Sequence, residues 1–221
     1  MAALETAIVQ VTPFQQNCAL VWDGASRRGA VVDPGGDVAR ILAAIERRGV
    51  DVEKILLTHG HLDHAGGAEE LRAALSQGRA EPVPIEGPDR RDKFLLDNIE
   101  RQAAAFGLAG MGNAAPDRWL AEGDHAEIGG HRFAVLHCPG HTPGHIVLVN
   151  PDARFAIVGD VLFRGSIGRT DFPYGDHAQL LRAIAEKLLP LGDDVAFVCG
   201  HGPASTIGEE RRTNPFLQGG A

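Results

Sequence analysis

Short apolar runs alternate with helical-period stretches along this chain, and most runs stop at a polar or glycine-rich cluster. Residues 5–12 and 18–22 predict a β-hairpin, with residues 13–17 as the connection. A polar turn at 24–29 leads into Ala30-Val31-Val32, a strand that stops at Asp33-Pro34-Gly35-Gly36. Val38, Ile41, Leu42 and Ile45 then keep helical spacing, with Asp37 expected to cap the helix and Gly49 to end it. Residues 55–58 predict the next buried strand, followed by a helix that finishes with Leu71, Ala74 and Leu75.

The middle of the chain is plainer. A Pro/Gly-rich connection at 77–88 surrounds a short strand at Ile85. Residues 89–106 predict one charged amphipathic helix, with Leu95, Ile99, Ala103 and Phe106 on its apolar face and no chemistry of its own. Residues 107–116 form a small-residue loop placed to overhang a pocket. A β-meander follows over 119–120, 125–128 and 132–138, with His125 and His131 expected at solvent-exposed turns. Further strands are expected at 155–160 and 195–199. Between them Asp176 and Gln179 form a capping-box pattern ahead of Leu180, Ile184 and Leu188. Residues 209–212 read as a solvated charged turn in the tail.

Composition bounds the function. With 221 residues, 44% of them hydrophobic, the chain can bury a full core. A net charge of −8 and a pI near 5.6 disfavour a nucleic-acid surface. Cys18, Cys138 and Cys199 are too few and odd in number for a disulfide framework. The first residues lack a basic signal-peptide region and carry Glu5, and no apolar run nears the roughly 18 residues of a membrane helix. A cytoplasmic setting with no membrane partner is the expectation.

The candidate chemistry sits at strand ends. Thr58-His59-Gly60-His61-Leu62-Asp63-His64 packs three imidazoles and a carboxylate directly after an apolar run. Neutral imidazole and carboxylate are metal donors, and this density suits two adjacent ions better than one. His141 lies on a stiff Pro/Gly turn in the stretch Cys138 to His145, Asp160 ends an apolar strand, and His201 follows another. An unpaired carboxylate at a buried strand end needs a cation or donors beside it. Asp33 ends the strand expected to neighbour the 58–64 loop and can hydrogen-bond that loop from behind; His145 is expected in a similar supporting place or in the core. Donors after four separate strands can meet at one sheet edge.

These residues resemble the metallo-β-lactamase-fold hydrolases, most closely the short bacterial glyoxalase II-like branch. Asp33-Pro34-Gly35-Gly36, the motif at 58–64, His141-Thr142-Pro143-Gly144-His145, Gly159-Asp160 and Gly200-His201-Gly202-Pro203 match the superfamily motifs in order. The resemblance implies an α/β fold: an αββα sandwich of two mixed β-sheets flanked by helices, in one domain over 1–221. Longer members add a C-terminal helical domain that helps hold glutathione. Fewer than twenty residues follow Gly202, so that domain is not expected.

By resemblance, His59, His61 and His141 hold a first metal, Asp63, His64 and His201 a second, and Asp160 bridges them; Asp63 and Asp160 are the expected catalytic carboxylates. Three imidazoles leave the open position that catalytic zinc needs, at distances of about 2.0–2.1 Å. A second cation about 3.5–4 Å away lets a hydroxide sit between the two. Two divalent ions are therefore expected, zinc first, with iron or manganese also suited to the donors. The implied reaction is hydrolysis of a glutathione thioester such as S-lactoylglutathione, whose thiolate leaves without a strong acid. Arg164 and Arg169 are candidates for pairing with substrate carboxylates, though Arg169 can equally anchor Asp171 or Asp176, and Tyr174 is a candidate for the pocket edge. Two alternatives stand beside this reading. Gly168-Arg169-Thr170-Asp171-Phe172 also resembles the persulfide dioxygenases, in which one iron would take His59, His141 and Asp160. A non-catalytic, partner-binding member of the fold is the other.

Overall fold

The computed structural model describes residues 3–218; Met1, Ala2 and residues 219–221, the ends of the segments read above as amino terminus and tail, lie outside them. Five strands form the first sheet: β1 (Leu4–Val11), β2 (Gln16–Asp23), β3 (Arg28–Val32), β4 (Asp51–Leu56) and β5 (Ile85–Glu86), in spatial order 1-2-3-4-5. β1, β2 and β3 pair antiparallel, whereas β3–β4 and β4–β5 are parallel. Parallel neighbours need crossovers. Helix α1 (Val38–Arg48) supplies the first, and α2 (Leu62–Ala65) with α3 (Ala68–Leu75) the second. Helices α4 (Lys93–Leu96) and α5 (Ile99–Ala105) follow.

The second sheet contains β6 (His125–Ile128), β7 (His131–His137), β8 (Ile146–Asn150) and β9 (Phe155–Ile157). After the small ribbon of β10 (Leu162–Phe163) and β11 (Ser166–Ile167) come α6 (His177–Ala183), β12 (Ala196–Val198), β13 (Ser205–Thr206) and α7 (Ile207–Thr213). The order is 13-12-9-8-7-6, antiparallel except for the parallel pair β12–β9. Both sheets are thus mixed.

Alternation within the strands builds the layers. In β2, Leu20 and Trp22 face the α1/α3 side, while Ala19 and Val21 face the opposite sheet. In β8, Val147 and Val149 meet Leu180, Ile184 and Leu188, while Ile146 and Leu148 meet the first sheet. Strands covered on both faces read as unbroken apolar runs, which is why these did. The expected αββα sandwich is borne out. Among the described residues, no helix is long and apolar enough to cross a membrane.

Several local expectations change. Asp37 does not cap α1. It is left-handed (φ 50°), and its carboxylate accepts instead from the Thr12 amide at 2.8 Å. Gly49 ends α1 as expected, and Asp176 caps α6 by accepting from Gln179 N. The single helix over 89–106 is broken into a 3₁₀ turn at Arg90–Asp92, α4 and α5, and Phe106 is 65% exposed. Residues 107–116 fold back onto the α2–α3 junction rather than over a pocket, with Gly112 N donating to Gly66 O. Trp119 and Leu120 are not strand; the neighbouring Arg118 bridges Glu86 instead. His131 is buried, because its Nε2 lies 3.0 Å from Asp23 Oδ2 and ties β7 to the end of β2.

Phe133 is fully buried in the layer between the sheets. Phe133→Ala should cost about 3–5 kcal/mol, the usual range for a cavity of that size, in denaturant unfolding. A loss under about 1 kcal/mol would mean that the two sheets collapse around the gap.

Candidate metal centre

The strand order brings the polar strand ends to one edge. Asp33 follows β3, the 58–64 loop follows β4, His141 lies between β7 and β8, Asp160 follows β9 and His201 follows β12. Asp33 holds the first junction. It sits at φ 53°, and its Oδ1 accepts from Thr58 N at 2.7 Å. Its Oδ2 accepts from Thr58 Oγ1 at 2.6 Å and faces His64 Nδ1 at 2.9 Å. Three contacts to one carboxylate fix both the start of the loop and one of its rings.

Each imidazole spends its outward nitrogen on an acceptor. His141 Nδ1 donates to the Arg169 carbonyl at 2.8 Å and His201 Nδ1 to the Phe14 carbonyl at 3.2 Å. A carbonyl only accepts, so both rings carry a proton on Nδ1 and turn Nε2 inward. His64 does the same against Asp33. The Thr58 hydroxyl donates to Asp33, so its oxygen accepts from His59 Nδ1 at 3.1 Å. His61 reverses the pattern, with Nε2 outward 2.9 Å from the Tyr174 hydroxyl. Such partners set the tautomer and orientation of metal-binding histidines.

Inward, the other ring nitrogens converge. His61 Nδ1 lies 3.1 Å from His59 Nε2 and 3.0 Å from His141 Nε2. Beside this trio, Asp63 Oδ2 is 3.3 Å from His201 Nε2 and 3.9 Å from His64 Nε2. Asp160 stands between the groups: Oδ2 is 3.5 Å from His141 Nε2 and 3.6 Å from His201 Nε2, and Oδ1 is 3.3 Å from His64 Nε2. Both trios can hold a metal ion. Asp33, His59 and His64 also cluster, but the ring nitrogens facing Asp33 and Thr58 are already hydrogen-bonded, so that cluster supports the loop instead. Gly200 closes the floor, since a Cβ there would collide with Asp160 Oδ1 and the His64 ring.

Electrostatics match the donor roles. Burial, reinforced by neighbouring imidazoles, holds His59 far below the usual histidine range and brings His61 to about 3. Burial also lowers His141, so the first trio is neutral. Burial would raise Asp63 and Asp160, but the histidines around them, His64 first, outweigh it and keep both ionised. Burial likewise opposes charge on His64 and His201, yet Asp160 and Asp63 raise both. The buried carboxylates thus demand positive charge at this spot. His145 stands behind the centre: its Nε2 accepts from Asp160 N at 3.0 Å and its ring stacks on His59.

Asp92 is the residue that sequence reasoning missed. It is buried, and its carboxylate accepts from Gly60 N at 2.9 Å, Thr142 Oγ1 at 2.7 Å and Gly144 N. One side chain thereby joins the 58–64 loop to the His141 turn. Burial raises its pKa to about 6 in spite of these donors. A signal was available: Asp92 falls three residues before Leu95 and seven before Ile99, on the apolar stripe of the expected helix.

Above the centre opens a cavity of about 420 Å³, walled by Phe14, Phe106, Phe163, Phe172 and Tyr174. Arg169 reaches it, but both Asp171 carboxylate oxygens bind the guanidinium at 2.7 Å and the Phe172 ring lies 4.5 Å away. Of the candidate substrate residues, Arg169 and Tyr174 line the cavity and Arg164 is exposed outside it. A larger groove of about 820 Å³ between α1 and β1 holds none of the histidines or carboxylates named above.

The profile of the metallo-beta-lactamase superfamily matches residues 11–201. The chain belongs to that superfamily. Its likeness to the glyoxalase II-like branch is also borne out. It is 46% identical over 211 residues to hydroxyacylglutathione hydrolase GloC of Haemophilus influenzae, covering 95% of this chain and 96% of that one. Among solved structures, the B3 metallo-beta-lactamase BLEG-1 superposes with a TM-score of 0.87 at 32% identity, over 97% of this chain and 100% of that one. TTHA1623 in a di-iron-bound form gives 0.81 at 36% identity, over 96% and 100%. Within this superfamily member, Asp33→Asn should keep the fold, since asparagine tolerates left-handed backbone. Its amide would face a Thr58 or His64 donor, so metal affinity should fall about 10–100-fold in chelator competition. Unchanged affinity would leave Asp33 as a turn residue only.

Proposed function

We propose that this chain is a binuclear metal-dependent thioester hydrolase, with a glutathione thioester such as S-lactoylglutathione as its leading substrate. The observation that carries the reading is the convergence of five inward imidazole nitrogens and two ionised carboxylates beneath one cavity, in a chain similar to GloC. His59, His61 and His141 would hold one ion and Asp63, His64 and His201 the other, with Asp160 shared. The donors fit: His64 Nε2 and Asp160 Oδ1 are buried without hydrogen-bond partners, as groups reserved for a cation would be. Zinc suits this donor set, and so does iron, the metal pair described for TTHA1623. When bound, such ions lower the pKa of water to about 7 and draw charge from a carbonyl oxygen.

The chain's own residues prepare the site for that chemistry. Outward hydrogen bonds hold the rings in one tautomer, so little reorientation is needed when substrate arrives. The aromatic walls exclude water around the acyl carbon and give an apolar thioester a surface to lie on. Arg169 is the only arginine or lysine among the described residues that line this wall, and its pair with Asp171 is exposed and weak, so a substrate carboxylate can replace Asp171. A thiolate leaves readily and requires no strong acid. Cys18, Cys138 and Cys199 are buried and free, which supports a reducing, cytoplasmic setting. We take the chain to work as one domain on a small molecule, without nucleic acid or membrane.

Two tests follow from the shared carboxylate and the second trio. Asp160→Ala should lose both ions on dialysis more readily than His201→Ala, which serves one ion alone; equal ion counts per chain would show that Asp160 does not bridge. The wild-type enzyme should hydrolyse S-lactoylglutathione at the same rate with and without oxygen. His64 and His201 motivate this, because a mononuclear iron dioxygenase has no use for them as ligands. Oxygen uptake with glutathione persulfide, one iron per chain and no thioester cleavage would install the dioxygenase instead.

A further inference from the structure

The hairpin connection, read from sequence over residues 13–17, is a turn at Thr12–Gln15 that runs beside the loop carrying His201. Four hydrogen bonds join that loop to the turn and to the start of β2 just after it. His201 Nδ1 donates to the Phe14 carbonyl at 3.2 Å, and Asn17 N donates to the Gly200 carbonyl at 2.7 Å. The Asn17 side-chain amide donates to the carbonyls of Cys199 at 3.0 Å and Gly202 at 2.7 Å. Those two carbonyls flank Gly200 and His201, so one amide grips the loop on both sides of the histidine. Asn17 is 8% exposed, and its amide NH2 offers two donors from one rigid plane.

From this geometry we infer that Asn17 is a positioning residue for His201, and so for the second metal ion alone. The inference rests on the binuclear reading above. The reason is the contrast between the two trios. His59, His61 and His141 are braced by Thr58, Tyr174 and the Arg169 carbonyl, and their loops are joined through Asp92. None of those braces touches Asn17. His201 is the most exposed of the five imidazoles, with 31% of its side chain accessible, and its ring has a single outward hydrogen bond. Its direction therefore depends on the backbone of residues 199–202, which Asn17 grips. Phe14 adds a consequence: its ring lines the cavity while its carbonyl holds His201, so the same turn shapes the substrate wall and the second ion's ligand.

The test is metal titration of the stripped, full-length protein with zinc, followed by calorimetry and ion counting. Wild type should bind two ions. Asn17→Ala, and more strongly Asn17→Asp, whose carboxylate would face two carbonyl oxygens, should weaken the second about 10–100-fold and leave the first within about twofold. Retention of the first ion reports that the variant is folded. Gly202→Val serves as a second probe. Gly202 has φ 79° and no atom within 4 Å of an added Cβ, so valine strains the loop backbone without entering the core. It should reproduce the selective loss. In a His201→Ala background, Asn17→Ala should change the remaining affinity by no more than about twofold, because its effect passes through a ring no longer present. Equal weakening of both ions, or undiminished second-site affinity in Asn17→Ala and Gly202→Val, would overturn the inference while leaving the hydrolase reading intact. A wild type that binds one ion would overturn both this inference and the binuclear reading. Failure to cleave any thioester, with the metal results as expected, would count against the substrate alone.

Discussion

A neutral imidazole can offer one nitrogen's lone pair to the centre only if its proton stays on the other nitrogen, where it is donated to a partner outside. That constraint governs the structure around the 58–64 loop. Five imidazoles satisfy it with five different partners: a threonine hydroxyl, a tyrosine hydroxyl, the Asp33 carboxylate and two backbone carbonyls. These partners come from four stretches of chain, around residues 14, 33, 58 and 169–174, so the centre forms only when strands and loops far apart in sequence come together. The unusual backbone at Asp33 is understandable in these terms. A left-handed aspartate is tolerable because its carboxylate then reaches Thr58 twice and His64 once.

Charge follows the same logic. Asp33, Asp63 and Asp160 are all buried or nearly so, and burying unpaired carboxylates is costly. Without a cation at the centre, protons on His64 and His201 are what the chain can offer them. The first trio is different. His59, His61 and His141 are held neutral by burial, ready to donate without first losing a proton. The centre thus divides into one half prepared by desolvation and another balanced by carboxylates.

The cavity above is built by another principle. Its walls are mainly aromatic, and large exposed apolar side chains gather at its mouth: Phe14, Phe106 and, stacked edge-on against Tyr174, Phe94. Exposed apolar surface of this kind marks a place where something binds. The polar centre sets the chemistry while the aromatic mouth sets what can approach it.

Strands buried on both faces are unbroken apolar runs, and helices that cover a sheet repeat every three or four residues, so the alternation of strands and helices could be read from periodicity, while the αββα layering came from the family resemblance of the motifs. The metal donors were legible for a related reason. Imidazoles and carboxylates packed after apolar runs have few structural uses, and their spacing in 58–64 is local. Tertiary structure alone decided the rest, because those contacts join residues far apart in sequence. Asp92 braces Gly60 and Gly144, Tyr174 meets His61, and Asp23 captures His131, each across 30 or more residues. A carboxylate on a helical stripe or a tyrosine in a loop looks ordinary until the fold supplies its partner. The Arg169–Asp171 pair marks the boundary: it was one reading of Arg169 open from sequence, and the assembled loop makes that pair while leaving Arg169 on the cavity wall.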